Sequence, residues 1–118
     1  MGLCFSVDGN IKTPPSLKNI FNELYDDLSI ERVNSNLNDR AEQYILLLNT
    51  SLTVIKGNPN SHKKLWASYT NSIINTISSR CDNVIFILLG DDAKKLIDNT
   101  KHMIIESGHP SPLSSRFL

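Results

Sequence analysis

The chain has 118 residues, enough for one small domain, and 40% of them are hydrophobic, as in ordinary soluble globular proteins. Twelve basic and twelve acidic residues give a formal net charge of zero, which excludes a general positive field and leaves DNA contact to a local patch. The sequence contains no run of 18 apolar residues and no secretory signal pattern, so neither a membrane helix nor export is expected. The two cysteines, Cys4 and Cys81, lack metal or redox spacing and are interpreted as core thiols in a reducing compartment.

Three helices are predicted from apolar residues at helical spacing. The first follows Pro14-Pro15, with Ser16 as its expected N-cap, and the third is short and opens near Asp91-Asp92. The three apolar stripes consist of Leu17, Ile20, Phe21, Leu24 and Leu28; of Trp66, Tyr69, Ile73, Ile74 and Ile77; and of Ala93, Leu96 and Ile97.

Three continuous apolar runs, at residues 44–48, 84–89 and 103–105, predict strands that are buried on both faces. Strands that alternate with helices indicate right-handed crossovers and a parallel α/β sheet. Each run is followed by a distinctive pair or triplet: Asn49-Thr50, Gly90-Asp91 and Gly108-His109-Pro110. Because ligands of such sheets bind beyond the carboxyl ends of the strands, an amide, a glycine turn and an imidazole are expected at one rim.

The stretch from Gly108 to Ser114 contains two prolines, two serines, one histidine and one leucine. Proline restricts the backbone, so this loop is expected to hold a fixed shape. A stiff loop with an imidazole, hydroxyls and an apolar wedge is suited to base flipping in a DNA duplex. Taken alone, however, such a loop is more often a structural connector, and the function depends on the rest of the chain.

The whole chain resembles family 1 uracil-DNA glycosylase, with six matching segments in the family's order and nearly its spacing. These segments are Gly2-Leu3-Cys4-Phe5-Ser6-Val7, Pro14-Pro15-Ser16-Leu17, Leu46-Leu47-Leu48-Asn49-Thr50 with Leu52-Thr53-Val54, Pro59-Asn60-Ser61-His62-Lys63, Phe86-Ile87-Leu88-Leu89-Gly90 and His109-Pro110-Ser111-Pro112-Leu113-Ser114. The resemblance implies one partial domain over residues 1–118. Its implied fold is a three-layer α/β/α arrangement with a parallel sheet, incomplete because the family's central first strand has no counterpart.

The resemblance also implies residue roles. Asn49 would read the Watson–Crick edge of a flipped uracil, since an amide offers one donor and one acceptor, and Phe5 would stack on that base. His109 would donate to uracil O2 as negative charge develops there, and Leu113 would fill the space left in the duplex. Taken singly, these residues have ordinary alternatives: a strand-end turn residue, a core aromatic, a loop histidine and an exposed leucine.

Further residues are assigned by the resemblance to DNA contact, where they would position the backbone without reading its sequence. They are Pro14, Pro15, Ser16, Gly90, Ser111 and Ser114. For each serine alone, capping or solvation is the alternative. His62 lies in a matching motif without an assigned chemical role, so a helix-start or packing role is expected, and Trp66 is interpreted as core.

The sequence departs from the family in several places. In the family, a Gly-Gln-Asp-Pro-Tyr-His motif precedes the Gly-Leu-Cys-Phe segment and supplies the water-activating aspartate and the tyrosine that excludes thymine. This motif has no match here. The family's C-terminal segment is also cut short at Leu118. Asp91 stands where the family has serine and is expected to repel a phosphate, and Arg116-Phe117 stands where Arg-Gly-Phe is usual. None of Asp8, Asp26, Asp27, Asp91 and Asp92 is expected to replace the aspartate, because catalytic geometry is strict.

The resemblance implies an enzyme that hydrolyses the N-glycosidic bond of uracil in single- or double-stranded DNA and so initiates base excision repair, although this chain alone is expected to be weak or inactive. The alternative is a non-catalytic DNA-binding or regulatory remnant of the family. A nucleotide-binding α/β module is poorly supported because no glycine-rich fingerprint follows a strand. No metal or organic cofactor and no membrane is implied, and an intracellular monomer is expected, cytoplasmic in a bacterium, nuclear or mitochondrial in a eukaryote or virus.

Overall fold

The computed structural model describes residues 2–51, 53, 55–58, 61–97 and 101–113. In chain order its elements are α1 (Pro15–Leu28), α2 (Asn38–Glu42), α3 (Lys63–Arg80), β1 (Ile85–Leu89), α4 (Asp91–Lys94) and β2 (Met103–Ser107). The chain divides into two compact units, the first formed by residues 1–49 and 108–118 and the second by residues 50–107. The expectation of one partial domain over the whole chain stays a prediction.

Helix α1 belongs to the first unit and begins one residue earlier than the predicted cap. Pro14 is the N-cap residue, in an extended conformation, and Pro15 occupies the first turn, where a missing backbone N–H is not needed. The prediction of Ser16 as N-cap is therefore wrong, because the fixed φ of the two prolines sets the helix start before it. The helix ends at Leu28 and is capped by Ser29, whose left-handed backbone directs its N–H to the Tyr25 carbonyl at 2.8 Å.

The first unit packs around a small core. Leu17 of α1 and Leu37 are 1% and 6% exposed, and the buried Ser6 hydroxyl accepts the Leu37 N–H at 2.9 Å. Helix α2, which has no apolar periodicity and was not predicted, follows directly. Its Asp39 carboxylate accepts two bonds of 2.8 Å from the Arg32 guanidinium, which fixes the turn between α1 and α2.

The predicted strand at residues 44–48 does not form. Tyr44 and Leu46 are 99% and 61% exposed, and the segment contacts a distant part of its unit through a backbone bond from the Cys4 N–H to the Leu47 carbonyl at 3.0 Å. A strand needs a neighbouring ladder of backbone partners, and the described part of the chain places none beside these residues. The apolar run therefore does not become part of a sheet, and its first residue, Tyr44, continues the turn after α2 with a φ of 64°.

The second unit contains the sheet and helix α3. Strands β1 and β2 are parallel, with Ile85 opposite Met103 and Leu89 opposite Ser107, so the α/β class and the parallel sheet are confirmed for the two later strands. The predicted second helix is confirmed as α3, which buries Thr70 and Ile74. The predicted third helix is shorter than expected, because α4 ends at Lys94, before Leu96 and Ile97.

The start of the sheet is tied to the end of α3 by His102. Its Nε2 donates to the Ser78 carbonyl at 2.8 Å, and its Nδ1 accepts the Val84 N–H at 3.2 Å. At the other end, Gly90 leaves β1 with a φ of 92° and donates its N–H to the Ser107 carbonyl at 3.0 Å. Glycine suits this turn because side chains disfavour a positive φ.

Two further expectations concern the cysteines and the membrane. Cys4 is partly buried, but Cys81 is exposed where α3 ends, so its assignment to the core is wrong. A helix terminus at the surface places its last residues in solvent whatever their hydropathy.

Among the described residues, no helix is both long and apolar enough to cross a membrane.

Candidate active site

The loop after β2 is anchored by buried residues on either side of an exposed histidine. Gly108 and Pro110 are buried, whereas His109 between them is exposed. The side-chain amide of Asn19, one turn into α1, donates to the Pro110 carbonyl at 2.8 Å. This bond and the restricted backbone of Pro110 hold the loop against the helix, so His109 is presented on a fixed support.

The hydrogen bonds of the loop also set the state of the imidazole. Nδ1 of His109 accepts the Ser111 N–H at 3.0 Å, so in the neutral ring the proton is on Nε2. The Ser111 hydroxyl in turn accepts the Leu113 N–H at 3.2 Å, and the Leu113 side chain is 97% exposed. The loop therefore offers an N–H donor at His109 and an apolar side chain that projects into solvent.

Phe5 lies against this histidine. The two rings are 5.9 Å apart between centroids and inclined by 64°, an edge-to-face contact. Phe5 has a φ of 64°, an unusual conformation for a bulky residue, and strained backbone of this kind is frequent where function fixes a side chain. The neighbouring backbone bond between Cys4 and Leu47 helps to hold it.

Asn49 lies at the end of the segment that this same bond attaches to Cys4. It lies two residues after Leu47, is partly buried, and belongs to the same compact unit as Phe5 and His109. The structure thus places the Phe5 ring and the His109 imidazole in direct contact. The Asn49 carboxamide lies on a segment that is hydrogen-bonded to the residue before Phe5. These three side-chain types can stack on, hydrogen-bond and polarise a planar heterocycle.

The residues predicted to contact DNA are distributed unevenly. Pro14, Pro15 and Ser16 form the start of α1, one turn before Asn19, so their helix also supports the histidine loop. Gly90 belongs to the second unit, buried in the turn after β1. Ser114 lies outside the described residues.

Comparison with known proteins identifies the family. The sequence model described as the uracil DNA glycosylase superfamily matches residues 1–117. This chain belongs to that superfamily. A uracil-DNA glycosylase of Pseudomonas putida strain W619 is 50% identical over 119 aligned residues, which cover 97% of this chain and 52% of that protein. The uracil-DNA glycosylase of strain GB-1 matches with the same identity and coverage.

Solved structures agree with this assignment. The crystal structure of mimivirus uracil-DNA glycosylase superposes with a TM-score of 0.86 at 32% identity, covering 95% of this chain and 42% of that one. A mimivirus UNG variant in complex with UGI superposes with a TM-score of 0.87 and covers 43% of that chain. The chain therefore has the superfamily's fold but spans only about half the length of the relatives it matches.

The acidic residues weighed as replacements for the family's aspartate are paired or exposed. Asp92 of α4 accepts a bond from the Lys63 ammonium at 2.6 Å, while Asp91 is exposed and the two carboxylates of α1, Asp26 and Asp27, are exposed as well. Asp8, close to Phe5 in sequence, is also exposed. Such solvated or paired carboxylates are suited to surface roles, and the expectation that none replaces the family's aspartate stays a prediction.

The shifted pKa values of Cys4 and Asp39 in the first unit have structural explanations. Burial raises the pKa of the Cys4 thiol to about 11, so it stays protonated and unreactive at neutral pH. The hydrogen bond from Arg32 lowers the pKa of the Asp39 carboxyl, as expected for an ion pair that fixes a turn. Among the described residues, no three histidine, cysteine or acidic side chains lie together as a metal site would require.

His62 has a structural environment in the second unit. The Trp66 indole N–H donates to the Thr53 hydroxyl at 2.8 Å, and that hydroxyl is hydrogen-bonded to Nδ1 of His62 at 2.8 Å. His62 is the residue that precedes α3, so these bonds join a loop to the helix start. This agrees with the helix-start role expected from the sequence, and Trp66 is half-buried rather than fully within the core.

Two residues important for the site were missed in the sequence. Asn19 supports the histidine loop, and Ser6, next to Phe5, fixes the segment around Leu37. The only sequence signal for Asn19 is its poor helix propensity inside an otherwise regular stripe. Ser6 gives no such signal, because a serine in an N-terminal loop is ordinarily solvated.

Proposed function

We propose that this chain supplies part of the active site of a uracil-DNA glycosylase, which hydrolyses the N-glycosidic bond of uracil in DNA after flipping the base. The observation that supports this best is the edge-to-face pair of Phe5 and His109, with the His109 Nδ1 accepting the Ser111 N–H. That geometry provides a stacking ring beside an imidazole whose Nε2 carries the proton. Both features are needed to bind a flat base and to stabilise it as a leaving group.

The proposed chemistry places one role on each group. As the glycosidic bond breaks, negative charge develops on uracil O2. The Nε2–H of His109 is already in place and donates a hydrogen bond to that oxygen. Asn49 donates to O4 and accepts from N3–H, a pattern that cytosine reverses. Phe5 stacks on the uracil ring. Base discrimination is thus assigned to Asn49, and stabilisation of the leaving group to His109.

The surrounding residues act on the DNA. The side chain of Leu113, 97% exposed at the tip of a hydrogen-bonded loop, enters the duplex where the base has left. Pro14, Pro15, Ser16, Ser111 and Ser114 lie on the segments that contact phosphates, and Gly90 lets a phosphate approach the turn after β1. A neutral net charge leaves this contact to local groups.

The test uses a chimera in which the part of the strain W619 enzyme unmatched by this chain precedes residues 1–118. Activity on a uracil-containing oligonucleotide, read by alkaline cleavage of abasic sites, is expected to fall about 10²–10³-fold in His109→Leu, the typical cost of removing one oxyanion donor. Asn49→Asp is expected to lose uracil cleavage as well, because a carboxylate cannot donate to O4. Asn22→Asp, an exposed amide on α1, is the matched control and retains activity. Full activity in both site variants would refute the assignments.

A non-catalytic, DNA-binding remnant is the second candidate, and it is favoured by the carboxylates near the site residues, which are exposed or, at Asp92, paired with Lys63. Cleavage and binding assays of the 118-residue chain alone distinguish these two candidate functions. Cleavage that disappears in Asn49→Asp would exclude the remnant. Binding of uracil-containing DNA by the folded chain without cleavage would support it.

A further inference from the structure

A buried residue, Ser35, joins two segments of the first unit. It is 3% exposed, its hydroxyl is hydrogen-bonded to the Thr13 hydroxyl at 2.5 Å, and its carbonyl accepts the Val7 N–H at 3.2 Å. Between Val7 and Thr13 the chain runs through residues 8–12, all of which are exposed. Ser35 therefore closes this loop at its base and ties its two ends together.

Both tied segments carry residues of the candidate active site. Phe5 lies two residues before Val7, and the start of α1, Pro14-Pro15-Ser16, directly follows Thr13. Because an exposed loop has few packing contacts, the two bonds of Ser35 fix these segments relative to each other better than the loop does. The ring assigned to the base and the helix start assigned to the DNA backbone are thus held from one residue.

The turn around Ser35 is itself fixed. The Arg32 guanidinium donates to the carbonyls on both sides of Ser35, at 3.1 Å to Asn34 and 2.9 Å to Asn36, and it also pairs with Asp39. A pair of hydroxyls in such a place can be exchanged for apolar groups at little cost in stability. What the hydroxyl pair adds is direction, because a hydrogen bond fixes the distance and angle between its two segments.

We propose that Ser35 is a positioning residue that couples contact with the DNA backbone at the start of α1 to stacking of Phe5 on the flipped base. With the Thr13–Ser35 bond in place, DNA held at the start of α1 presents its base to Phe5 at a fixed distance. Without this bond the two contacts form independently, and a smaller fraction of the bound DNA has its base in place. The inference rests on the proposed function and concerns how the site is held.

The experiment changes Thr13 in the same chimera with the strain W619 enzyme. Thr13→Val removes the hydroxyl and keeps the branched shape, and kcat on a uracil-containing oligonucleotide is expected to fall about two- to tenfold, the effect of one neutral hydrogen bond. KM is expected to be unchanged because the phosphate contacts remain. Inhibition by free uracil is also expected to be unchanged, because the free base has no DNA backbone to be coupled to Phe5.

Three variants serve as controls. Thr13→Ser keeps the hydroxyl and is expected to retain kcat. Thr76→Val on α3 makes the same chemical change at an exposed threonine whose hydroxyl donates to the Ser72 carbonyl at 2.8 Å, and it is expected to retain activity. Ser35→Ala is expected to lower kcat as Thr13→Val does, and the double variant no further, because both changes remove the same bond.

A measurement without catalysis uses the 118-residue chain. The Lys18 N–H donates to the Pro14 carbonyl at 2.9 Å, so its hydrogen exchange reports how firmly the start of α1 is held. Thr13→Val is expected to speed this exchange about two- to tenfold, and Thr13→Ser to leave it unchanged.

The outcomes separate the coupling from the proposed function. Unchanged kcat in Thr13→Val, in a chimera that cleaves uracil-containing DNA, would overturn the coupling and leave the proposed function standing. Absence of cleavage by the unmodified chimera would overturn the proposed function and the coupling with it. Weaker inhibition of Thr13→Val by free uracil, a Thr13→Ser variant as slow as Thr13→Val, or unchanged Lys18 exchange would each contradict the coupling alone.

Discussion

The bond from Asn19 to the Pro110 carbonyl gives the sharpest test of how the histidine loop is held. Asn19→Ala removes a donor at 2.8 Å from a carbonyl on a buried residue, which costs about 1–3 kcal/mol. Alanine is the better helix former, and its gain of up to about 0.7 kcal/mol offsets part of that loss. A net destabilisation of about 0.5–2 kcal/mol is expected.

Asn22 provides the matched control, since it is exposed on the same helix and its replacement by alanine changes propensity alone. Asn22→Ala is expected to stabilise the chain by a few tenths of a kcal/mol, so the two variants should differ by about 1–3 kcal/mol. Thermal unfolding followed by circular dichroism measures this difference, and hydrogen exchange at the Ser111 and Leu113 amides locates it. Equal stability of the two variants, with unchanged loop exchange, would refute the argument that Asn19 positions the loop.

Three further outcomes are expected. At pH 8, iodoacetamide should modify the exposed Cys81 well before Cys4, whose pKa is about 11; mass spectrometry of the Cys81→Ser variant checks this, and equal rates would contradict burial of the Cys4 thiol. His102→Ala should lower stability by about 1–3 kcal/mol, because its ring satisfies one backbone N–H and one carbonyl; an unchanged melting temperature would contradict that role. Arg32 lowers the pKa of Asp39, so this ion pair stabilises the fold fully above the ordinary aspartate pKa, and its contribution is lost as pH falls through the lowered pKa. Asp39→Asn should therefore flatten the decline of the melting temperature in acid. An unaltered decline would contradict this role of the ion pair.

Local sequence rules were sufficient where an element's own residues decide its structure. The stripes of α1 and α3 predicted both helices because periodic apolar residues bury together whatever the neighbouring elements are. Continuous apolar runs predicted β1 and β2 for a similar reason, and the strand ends agree with the predicted runs to within two residues. The matching motifs were also sufficient for the family, since they are ordered along the whole chain.

Other features depended on partners that a linear sequence does not display. Residues 44–48 have the composition of a strand, yet a strand forms only where another backbone offers its ladder. In the described chain this segment instead has turn bonds from its first two residues to α2 carbonyls and one bond from Cys4. The start of α1 moved from Ser16 because two adjacent prolines set the backbone together, and Cys81 is exposed because of where α3 ends.

For the candidate site, the sequence by itself determined which chemical groups are present: the ring of Phe5, the amide of Asn49 and the imidazole of His109. Only the tertiary structure decided that Phe5 and His109 are in contact and that the imidazole proton is on Nε2. The physical reason is distance along the chain, since a contact across about a hundred residues is set by packing around α1, through Asn19, rather than by any local preference.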